Sequence, residues 1–192
     1  MQRLTHPLET DRLWLRPFQE SDLDAVHAIE RQAEVARYLY EPPSATREES
    51  RERLRLKMQR SGIDDEHSAL LLAVERKAAG GVIGHVVLMR RSVEHRQGEI
   101  GYVLDPAHHG HGYATEAAAV MVRLGFEELG LHRIVGRLDA RNAASAAVLE
   151  RLGMRREAHL RENELVKGEW VDELVYAILA DEWRAAHDGT PG

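Results

Sequence analysis

The sequence predicts a mixed α/β fold, and two observations lead to that prediction. Two apolar segments separated by the glycine-containing stretch Lys77–Gly81 predict an antiparallel β-hairpin. Further along, a strand, a helix and a second strand follow one another, and the right-handed crossover between them makes the two strands parallel. A sheet that contains both kinds of pairing is mixed, and the helical segments around these strands would cover its faces.

The first part of the chain predicts one strand and two helices. Arg12–Arg16 alternates polar and apolar residues, as a half-buried strand does. Ser21 is expected to cap a helix, because acidic residues fill the turn that follows it. Thr46–Glu49 matches a capping box and predicts a second, more polar helix to about Arg60. Ser61–Asp65 is predicted to be a loop.

The middle of the chain predicts three strands. Ser68–Arg76 and Val82–Arg90 each contain an apolar run bounded by turn residues, and they form the two arms of the hairpin. Glu99–Leu104 is rich in β-forming residues and stops at an Asp-Pro pair, which is a strong turn signal. This third strand is therefore the first strand of the crossover.

The rest of the chain predicts alternating helices and strands. A helix from about Thr115 to Leu129 is apolar on most sides and ends at Gly130, a good C-terminal stop. The later segments, in chain order, are a strand at Arg133–Leu138, a short helix at Asn142–Leu152, a polar loop at Arg161–Trp170 and a strand at Asp172–Leu179. The long helix and the strand after it complete the crossover.

The composition excludes several classes of function. A formal net charge of −6 argues against a nucleic acid as the main partner, because neutralising its phosphates requires a basic surface. The chain has no cysteine, which excludes disulfides, thiolate zinc sites and a cysteine nucleophile. No apolar run approaches the ~20 residues of a membrane span, and the N-terminus has no signal-peptide pattern. We therefore expect a cytoplasmic protein.

A tight turn lies between the third strand and the helix that follows it. Gly110 and Gly112, separated by one residue, let several backbone N–H groups point in one direction. The helix N-terminus adds partial positive charge at the same place. The stretch from Glu99 to Ala117 therefore predicts a phosphate-binding site.

Other interpretations of this turn fit less well. A nucleotide-triphosphate loop requires a lysine after its second glycine, and none follows Gly112. A dinucleotide fingerprint belongs on the first strand of its fold, whereas a hairpin precedes this one. His108, His109 and His111 lie on one turn, where neighbouring histidines rarely converge on one ion, so no metal is expected. A helix entry that merely uses two glycines stays open from the residues alone.

The same residues resemble a known family. His109–Ala114 looks like the Gln/Arg-x-x-Gly-x-Gly/Ala loop of the GNAT acetyltransferase superfamily, with histidine in place of the usual glutamine or arginine. Asn142–Ser145 resembles the Asn-x-x-Ser of its ribosomal-protein N-terminal acetyltransferase (Rim-type) branch. Further segments that match this branch in the same order are Leu8–Leu13, Leu15–Pro17, Gly112–Ala117 and Leu152–Met154. The similarity implies one N-acetyltransferase domain over 1–192, with its core at about 8–183.

The resemblance implies a fold and a donor site. A GNAT-like domain has a central mixed, mostly antiparallel sheet, split between a parallel strand pair and flanked by helices, and acetyl-CoA enters the split. The backbone N–H groups expected to hold the CoA pyrophosphate belong to His109, Gly110, His111, Gly112, Tyr113 and Ala114. The backbone of Tyr102, Val103 and Leu104 is expected to pair with the pantetheine arm, and Asn142 to contact it.

The resemblance also implies a reaction, in which an amine attacks the thioester directly in a ternary complex. An alkyl ammonium with a pKa of about 10 must first lose a proton, and Glu99 is the candidate base. Ser145 is placed by the family motif to protonate the leaving thiolate, with Tyr102 or Tyr113 as substitute donors.

These implications lead to a prediction of function. We predict transfer of the acetyl group of acetyl-CoA to a primary amine, with a protein or peptide N-terminal α-amine as the leading acceptor. Alternatives are a small amine or antibiotic acceptor, another donor such as succinyl-CoA, and an acyl-CoA-binding sensor without turnover. The family includes monomers and dimers, so a homodimer is compatible with the resemblance. The acceptor loops, Tyr38–Ser44 and Arg161–Trp170, contain no residue pattern that identifies the acceptor.

Overall fold

A computed structural model describes residues 2–3, 6–63, 68–78 and 80–187 of the chain, with residues 2 and 3 as backbone only. The strands are β1 (Gln2–Arg3), β2 (Leu8–Glu9), β3 (Leu13–Arg16), β4 (Ser61–Ile63), β5 (Ala69–Arg76), β6 (Val82–Ser92), β7 (Gln97–Leu104), β8 (Arg133–Asp139), β9 (Arg155–Val166) and β10 (Glu169–Leu179). The α-helices are α1 (Leu23–Glu30), α2 (Ala33–Ala36), α3 (Arg47–Gln59), α4 (Tyr113–Glu127), α5 (Ala143–Arg151) and α6 (Ala180–His187). Short 3-10 turns cover Glu20–Asp22 and Pro106–His108.

The strands form one sheet, whose main path runs β1-β4-β5-β6-β7-β8-β10-β9. β2 pairs with β3, and β3 shares with β4 the edge of β5 that lies opposite β6. Among the described strands, β7 and β8 pair in parallel and the other neighbours are antiparallel. The predicted mixed sheet, the hairpin β5–β6 and the crossover through α4 are confirmed.

Each face of the sheet carries its own apolar cluster. The larger cluster joins α4 to the sheet and contains the fully buried Val86 and Met121. The smaller cluster lies under α1 and α3 and contains Phe18, Val26 and Leu54. Because side chains alternate along a strand, neighbouring residues of the central strands face different clusters. The sheet therefore separates an α4 side from an α1/α3 side.

The prediction for the C-terminal region was wrong. Arg161–Trp170 is a β-hairpin rather than a loop: it contains the end of β9, the turn and the start of β10. Lys167 and Gly168 at the turn both have positive φ, of 50° and 87°, as two-residue hairpin turns require. β9 is an edge strand whose residues are mostly exposed, so no buried face gave its sequence an apolar alternation.

Smaller corrections concern loops and helix ends. Ser61–Ile63 forms β4 rather than a loop, because its main chain pairs with β5. The other two residues of that predicted loop, Asp64 and Asp65, lie outside the described residues. Ala79 of the predicted hairpin turn lies outside them as well. Ser21 is not the helix cap that the sequence predicts, because it lies inside the first 3-10 turn. Within that turn, the Asp22 carboxylate accepts from the Gln19 N–H at 2.8 Å. Thr46 does cap α3, accepting from the Glu49 N–H at 3.2 Å.

Candidate active site

The sheet opens between its two parallel strands. Gln97–Glu99 pairs with Arg133–Val135, and the pairing ends there. Beyond that point β8 continues beside β10, while β7 continues beside β6. The remaining part of β7, residues 100–104, therefore borders a split in the sheet.

Backbone groups of β7 point into this split at alternate residues. The Asp105 N–H donates to the Ile83 carbonyl at 2.8 Å, so odd-numbered residues in this stretch turn their main-chain groups to β6. Val103, which follows the same alternation, turns its main chain to β6. The main-chain groups of Tyr102 and Leu104 face the split instead. An added strand would therefore bond to Tyr102 and Leu104 and skip Val103.

Two left-handed glycines shape the loop between β7 and α4. Gly110 and Gly112 both have a φ of +79°, and Gly112 is the N-cap of α4. A Cβ on Gly110 would meet no heavy atom within 4 Å, and one on Gly112 would meet only the Arg12 guanidinium, at 3.4 Å. The open space above both glycines fits a bound anion at the first N–H groups of α4.

His109 stands at the start of this loop, and both its main-chain N–H and its ring are engaged in contacts within the chain. Its main-chain N–H donates to the Pro106 carbonyl at 3.1 Å, and its ring Nε2 lies 3.0 Å from the Leu104 carbonyl. Because a carbonyl only accepts, Nε2 is the protonated ring nitrogen in this contact. The N–H groups open to an anion therefore begin at Gly110, and His109 ties the loop to the end of β7.

The other histidines of the turn diverge. The His111 ring packs on the Tyr113 ring, with 5.7 Å between centroids, whereas His109 points back to β7. Among the residues that the structure describes, no group of three or more His, Asp or Glu side chains could hold a metal ion.

Ser145 and Tyr102 meet across the split. The Tyr102 hydroxyl donates to the Ser145 carbonyl at 2.9 Å, and the two hydroxyl oxygens lie 3.0 Å apart. The Ser145 hydroxyl can then donate to the Tyr102 oxygen. Burial raises the pKa of Tyr102 to about 12, despite the opposing effect of the Ser145 hydrogen bond. Both hydroxyls are therefore protonated at neutral pH.

Asn142 orients Ser145 from the N-terminus of α5. Its Oδ1 accepts from the Ser145 N–H at 3.1 Å, which is the N-cap interaction of that helix. A contact between Asn142 and the pantetheine arm would therefore come from Nδ2. The Asn-x-x-Ser spacing thus has a local structural reason.

Glu99 lies on the α1/α3 side of the split, within a network of charges. Its Oε2 accepts from Arg91 Nε at 2.8 Å and lies 3.7 Å from Arg137 Nε. Arg137 also donates to Glu173 at 3.0 Å, and Asn163 donates to the same carboxylate oxygen at 2.9 Å. Oε2 is committed to arginine, so a proton-accepting role for Glu99 would fall to Oε1.

The charges of this network are exposed to different extents. The Arg91 and Arg137 side chains are 46% and 44% exposed, whereas the carboxylates of Glu99 and Glu173 are 11% and 7% exposed. The surface beside the split therefore presents guanidinium groups, while the carboxylates that hold them are buried underneath.

A cavity of about 450 Å³ lies on the same side, between the sheet and the first three helices. Val103, Phe18 and Val26 supply apolar walls, and Leu39 lines it from the predicted acceptor loop Tyr38–Ser44. His85 also lines the cavity, and burial lowers its pKa well below the usual range, with smaller contributions from Lys57 and Arg60. This imidazole is therefore neutral at physiological pH.

Comparison with known proteins identifies the class of protein that this fold and site define. Residues 12–155 match the family model of the acetyltransferase (GNAT) domain. The chain is 34% identical over 176 residues to an uncharacterized N-acetyltransferase, YnaD, of Bacillus subtilis, which covers 92% of this chain and 98% of that protein. A crystal structure of a GNAT-family acetyltransferase from Bacillus anthracis superimposes with a TM-score of 0.81 at 32% identity, covering 91% of this chain and 99% of that one.

The chain belongs to the GNAT acetyltransferase family and is an N-acetyltransferase. Enzymes of this family use acetyl-CoA. A spermidine N-acetyltransferase from Vibrio cholerae, whose structure contains CoA and spermine, superimposes with a TM-score of 0.75 at 25% identity, covering 91% of this chain and 99% of that one. Within the described part of the chain, the helices are too short or too polar to cross a membrane.

Sequence reasoning missed the arginines beside the split and the histidine in the cavity. Arg91 and Arg137 lie on different strands, and no spacing in the chain relates them to Glu173. His85 had a weak signal, because it is the one polar residue in the otherwise apolar run Val82–Leu88. A polar residue facing inward from such a strand is worth examining as part of a site.

Proposed function

We propose that this N-acetyltransferase acts on the α-amine of a protein or peptide, as the Rim-type branch does. The observation that carries the proposal is the split between β7 and β8, with a turn of two left-handed glycines on its α4 side and exposed arginines on its α1/α3 side. Acetyl-CoA supplies the thioester from which the acetyl group is transferred. The residues of the chain bind this donor, orient the amine and move two protons.

On the donor side, main-chain groups perform the binding. The N–H groups from Gly110 to Ala114 would donate hydrogen bonds to the pyrophosphate at the positive end of α4. Tyr102 and Leu104 would pair with the amide-bearing arm as an added strand, and Nδ2 of Asn142 would reach it from α5. These groups are already fixed by the fold, so little ordering is needed on binding.

Two proton transfers complete the reaction. The attacking amine must be neutral, and Glu99 Oε1 is the proposed acceptor of its proton, directly or through a water molecule. A peptide α-amine, with a pKa near 8, needs less help than an alkyl amine. Ser145 is the proposed donor to the departing sulfur, and Tyr102 holds its hydroxyl in place.

The exposed arginines support a peptide as the acceptor. Arg91 and Arg137 can donate hydrogen bonds to the carbonyl oxygen that neighbours a peptide α-amine. A polyamine offers only positive charges and amine donors, which these guanidiniums would repel. The buried carboxylates of Glu99 and Glu173 are already paired and would attract a polycation weakly.

A polyamine acceptor is the second candidate, because several relatives are named as spermidine N-acetyltransferases. The two candidates are separated by measuring thiol release from acetyl-CoA with an α-amino peptide panel and with spermidine and spermine. The same peptides with a blocked N-terminus serve as matched controls. We expect turnover with free α-amines and loss of it on blocking.

Three outcomes would change this proposal. Faster release with spermidine than with every peptide would replace the peptide by the polyamine. Release with succinyl-CoA exceeding that with acetyl-CoA would change the acyl group. Tight CoA binding, with no release across both panels, would favour an acyl-CoA-binding sensor.

A further inference from the structure

We infer that Thr10, Arg12 and Glu116 form a clamp that positions the pyrophosphate loop. The Glu116 carboxylate, in the first turn of α4, accepts hydrogen bonds from the segment that leads into β3. The Thr10 hydroxyl donates to Oε1 at 2.5 Å, and the Arg12 main-chain N–H donates to the same oxygen at 3.0 Å. The Arg12 side chain donates to Oε2 through Nε at 2.7 Å.

The same arginine also holds the loop directly. Its Nη1 donates to the His111 carbonyl at 2.9 Å, between the two left-handed glycines. Its guanidinium carbon lies 4.7 Å from the centre of the Tyr113 ring, within cation–π distance. Arg12 therefore connects the loop, the first turn of α4 and the start of β3, which is paired into the sheet through β5.

The clamp also neutralises a negative charge beside the proposed anion site. Glu116 would otherwise present an unpaired carboxylate near the N–H groups of α4, where it would repel a diphosphate. Although burial works in the other direction, hydrogen bonds from Thr10 and Arg12 leave the pKa of Glu116 below its usual value. The carboxylate is 17% exposed and the Arg12 side chain 48% exposed, so the guanidinium is the outward group.

This role accounts for the match at Leu8–Leu13 and for Glu116 within Gly112–Ala117, neither of which has a part in the proposed donor site. Leu8–Leu13 and Gly112–Ala117 both match the family pattern but lie about 100 residues apart in the chain, and Glu116 joins them. Neither Arg12 nor Glu116 needs to touch the reacting atoms. They are positioning residues: they keep the loop in the conformation that binds a diphosphate before the donor arrives.

The test rests on the proposed donor site and uses two donors. Acetyl-CoA carries the diphosphate, whereas S-acetylpantetheine carries the thioester and both amides without it. We expect Glu116→Gln to raise the KM for acetyl-CoA roughly tenfold, with kcat largely retained. The same variant should leave kcat/KM for S-acetylpantetheine within about twofold, because that donor does not use the loop. A loss of activity with acetyl-CoA but not with S-acetylpantetheine could not result from a general loss of structure.

A double-variant cycle tests the pairing. We expect Arg12→Ala to weaken CoA binding more than Glu116→Gln does, because it removes the guanidinium that neutralises the Glu116 carboxylate beside the diphosphate, while the Thr10 hydroxyl and the main-chain N–H of residue 12 still hold that carboxylate. Arg12→Ala/Glu116→Gln should then bind CoA more tightly than Arg12→Ala alone. Arg47→Ala is the matched control, since it removes another exposed pair, with Asp24 at 2.6 Å, that lies outside the donor site.

The possible outcomes distinguish a failure of the clamp proposal from a failure of the proposed donor site. If the unmodified enzyme used S-acetylpantetheine as well as acetyl-CoA, the assignment of the loop to the diphosphate would fail. If it preferred acetyl-CoA and Glu116→Gln kept that preference with an unchanged KM, the clamp alone would be overturned. Equal losses with both donors would also overturn it, as would additive effects in the cycle.

Discussion

The two sides of the split between β7 and β8 are built in different ways. On the α4 side, the glycine turn that we propose to bind an anion is made of main-chain groups over one continuous stretch, from Leu104 to Ala114. On the α1/α3 side, the groups are side chains that come from β6, β7, β8 and β10. The first arrangement is local in sequence and the second is assembled only by the sheet.

This difference has a consequence for what each side can bind. Backbone N–H groups at a helix N-terminus fit one kind of ligand, an anion, whatever the neighbouring side chains are. The network of Arg91, Glu99, Arg137 and Glu173 can be retuned by one substitution, because exchanging a single charge alters what the surface presents. The donor side depends on main-chain groups and the acceptor side on side chains, so a single substitution changes the acceptor side more readily.

The largest effect is expected from closing the anion-binding turn. Gly112→Glu forces a side chain into a left-handed residue at φ +79° and puts a carboxylate where the pyrophosphate is proposed to bind. CoA affinity, measured by calorimetry, should fall by roughly 100-fold or more. Gly130→Glu is the matched control, because that glycine is also left-handed, at φ +61°, and lies beyond the other end of α4. Equal affinities for both variants would remove the turn from the donor site.

The next effect concerns the Ser145 hydroxyl, which lies beside Tyr102 at the split. Ser145→Ala should lower kcat by about 100-fold through loss of a general acid, with CoA affinity within twofold of the original. The α5 cap survives this change, since it uses the Ser145 N–H. Asn142→Ala provides the comparison: it removes the cap and costs about 1 kcal/mol of stability. An unaltered kcat in the serine variant would exclude Ser145 as the acid.

Acceptor preference should change when one of the exposed positive charges is removed. Arg137→Ala uncovers the carboxylates of Glu99 and Glu173, so kcat/KM for peptides should fall about tenfold while that for spermidine rises. The KM for acetyl-CoA should stay unchanged. Arg133→Ala on the same strand is the control, because its partner is Glu157. Parallel changes with both acceptors would contradict selection by this network.

The last effect concerns the free energy of unfolding rather than binding or turnover, and it depends on pH. The folded protein keeps the Tyr102 proton up to a pKa of about 12, mainly because of burial, whereas the unfolded chain loses it near 10. Between these values the folded state binds more protons, so stability falls as pH rises through this window, by about 2 to 3 kcal/mol. Urea unfolding at pH 9 and 11.5 should show this loss in the original chain and not in Tyr102→Phe. Equal losses in both would show that Tyr102 is not the group responsible.

The sequence predictions were accurate for features formed by neighbouring residues and inaccurate or silent for features that depend on distant strands. The run from β7 to α4 was predictable because a strand, a glycine turn and a helix each have strong local signals. The hairpin of β9 and β10 was not, because an exposed edge strand needs no apolar face and its turn at Lys167–Gly168 is a weak signal. Arg12 and Glu116 had no local signal for their contact, since the residues lie far apart in the chain.

The sequence by itself determined the mixed sheet, the crossover and the glycine turn before α4, because hydrophobic periodicity and glycine conformation act over a few neighbouring residues. Only the tertiary structure decided that pairing of the parallel strands ends at Glu99, and that Arg137 reaches both Glu99 and Glu173. It also decided that Glu116 accepts from Thr10 and Arg12. These contacts depend on which distant strands lie side by side. Patterns over a few neighbouring residues do not determine that arrangement.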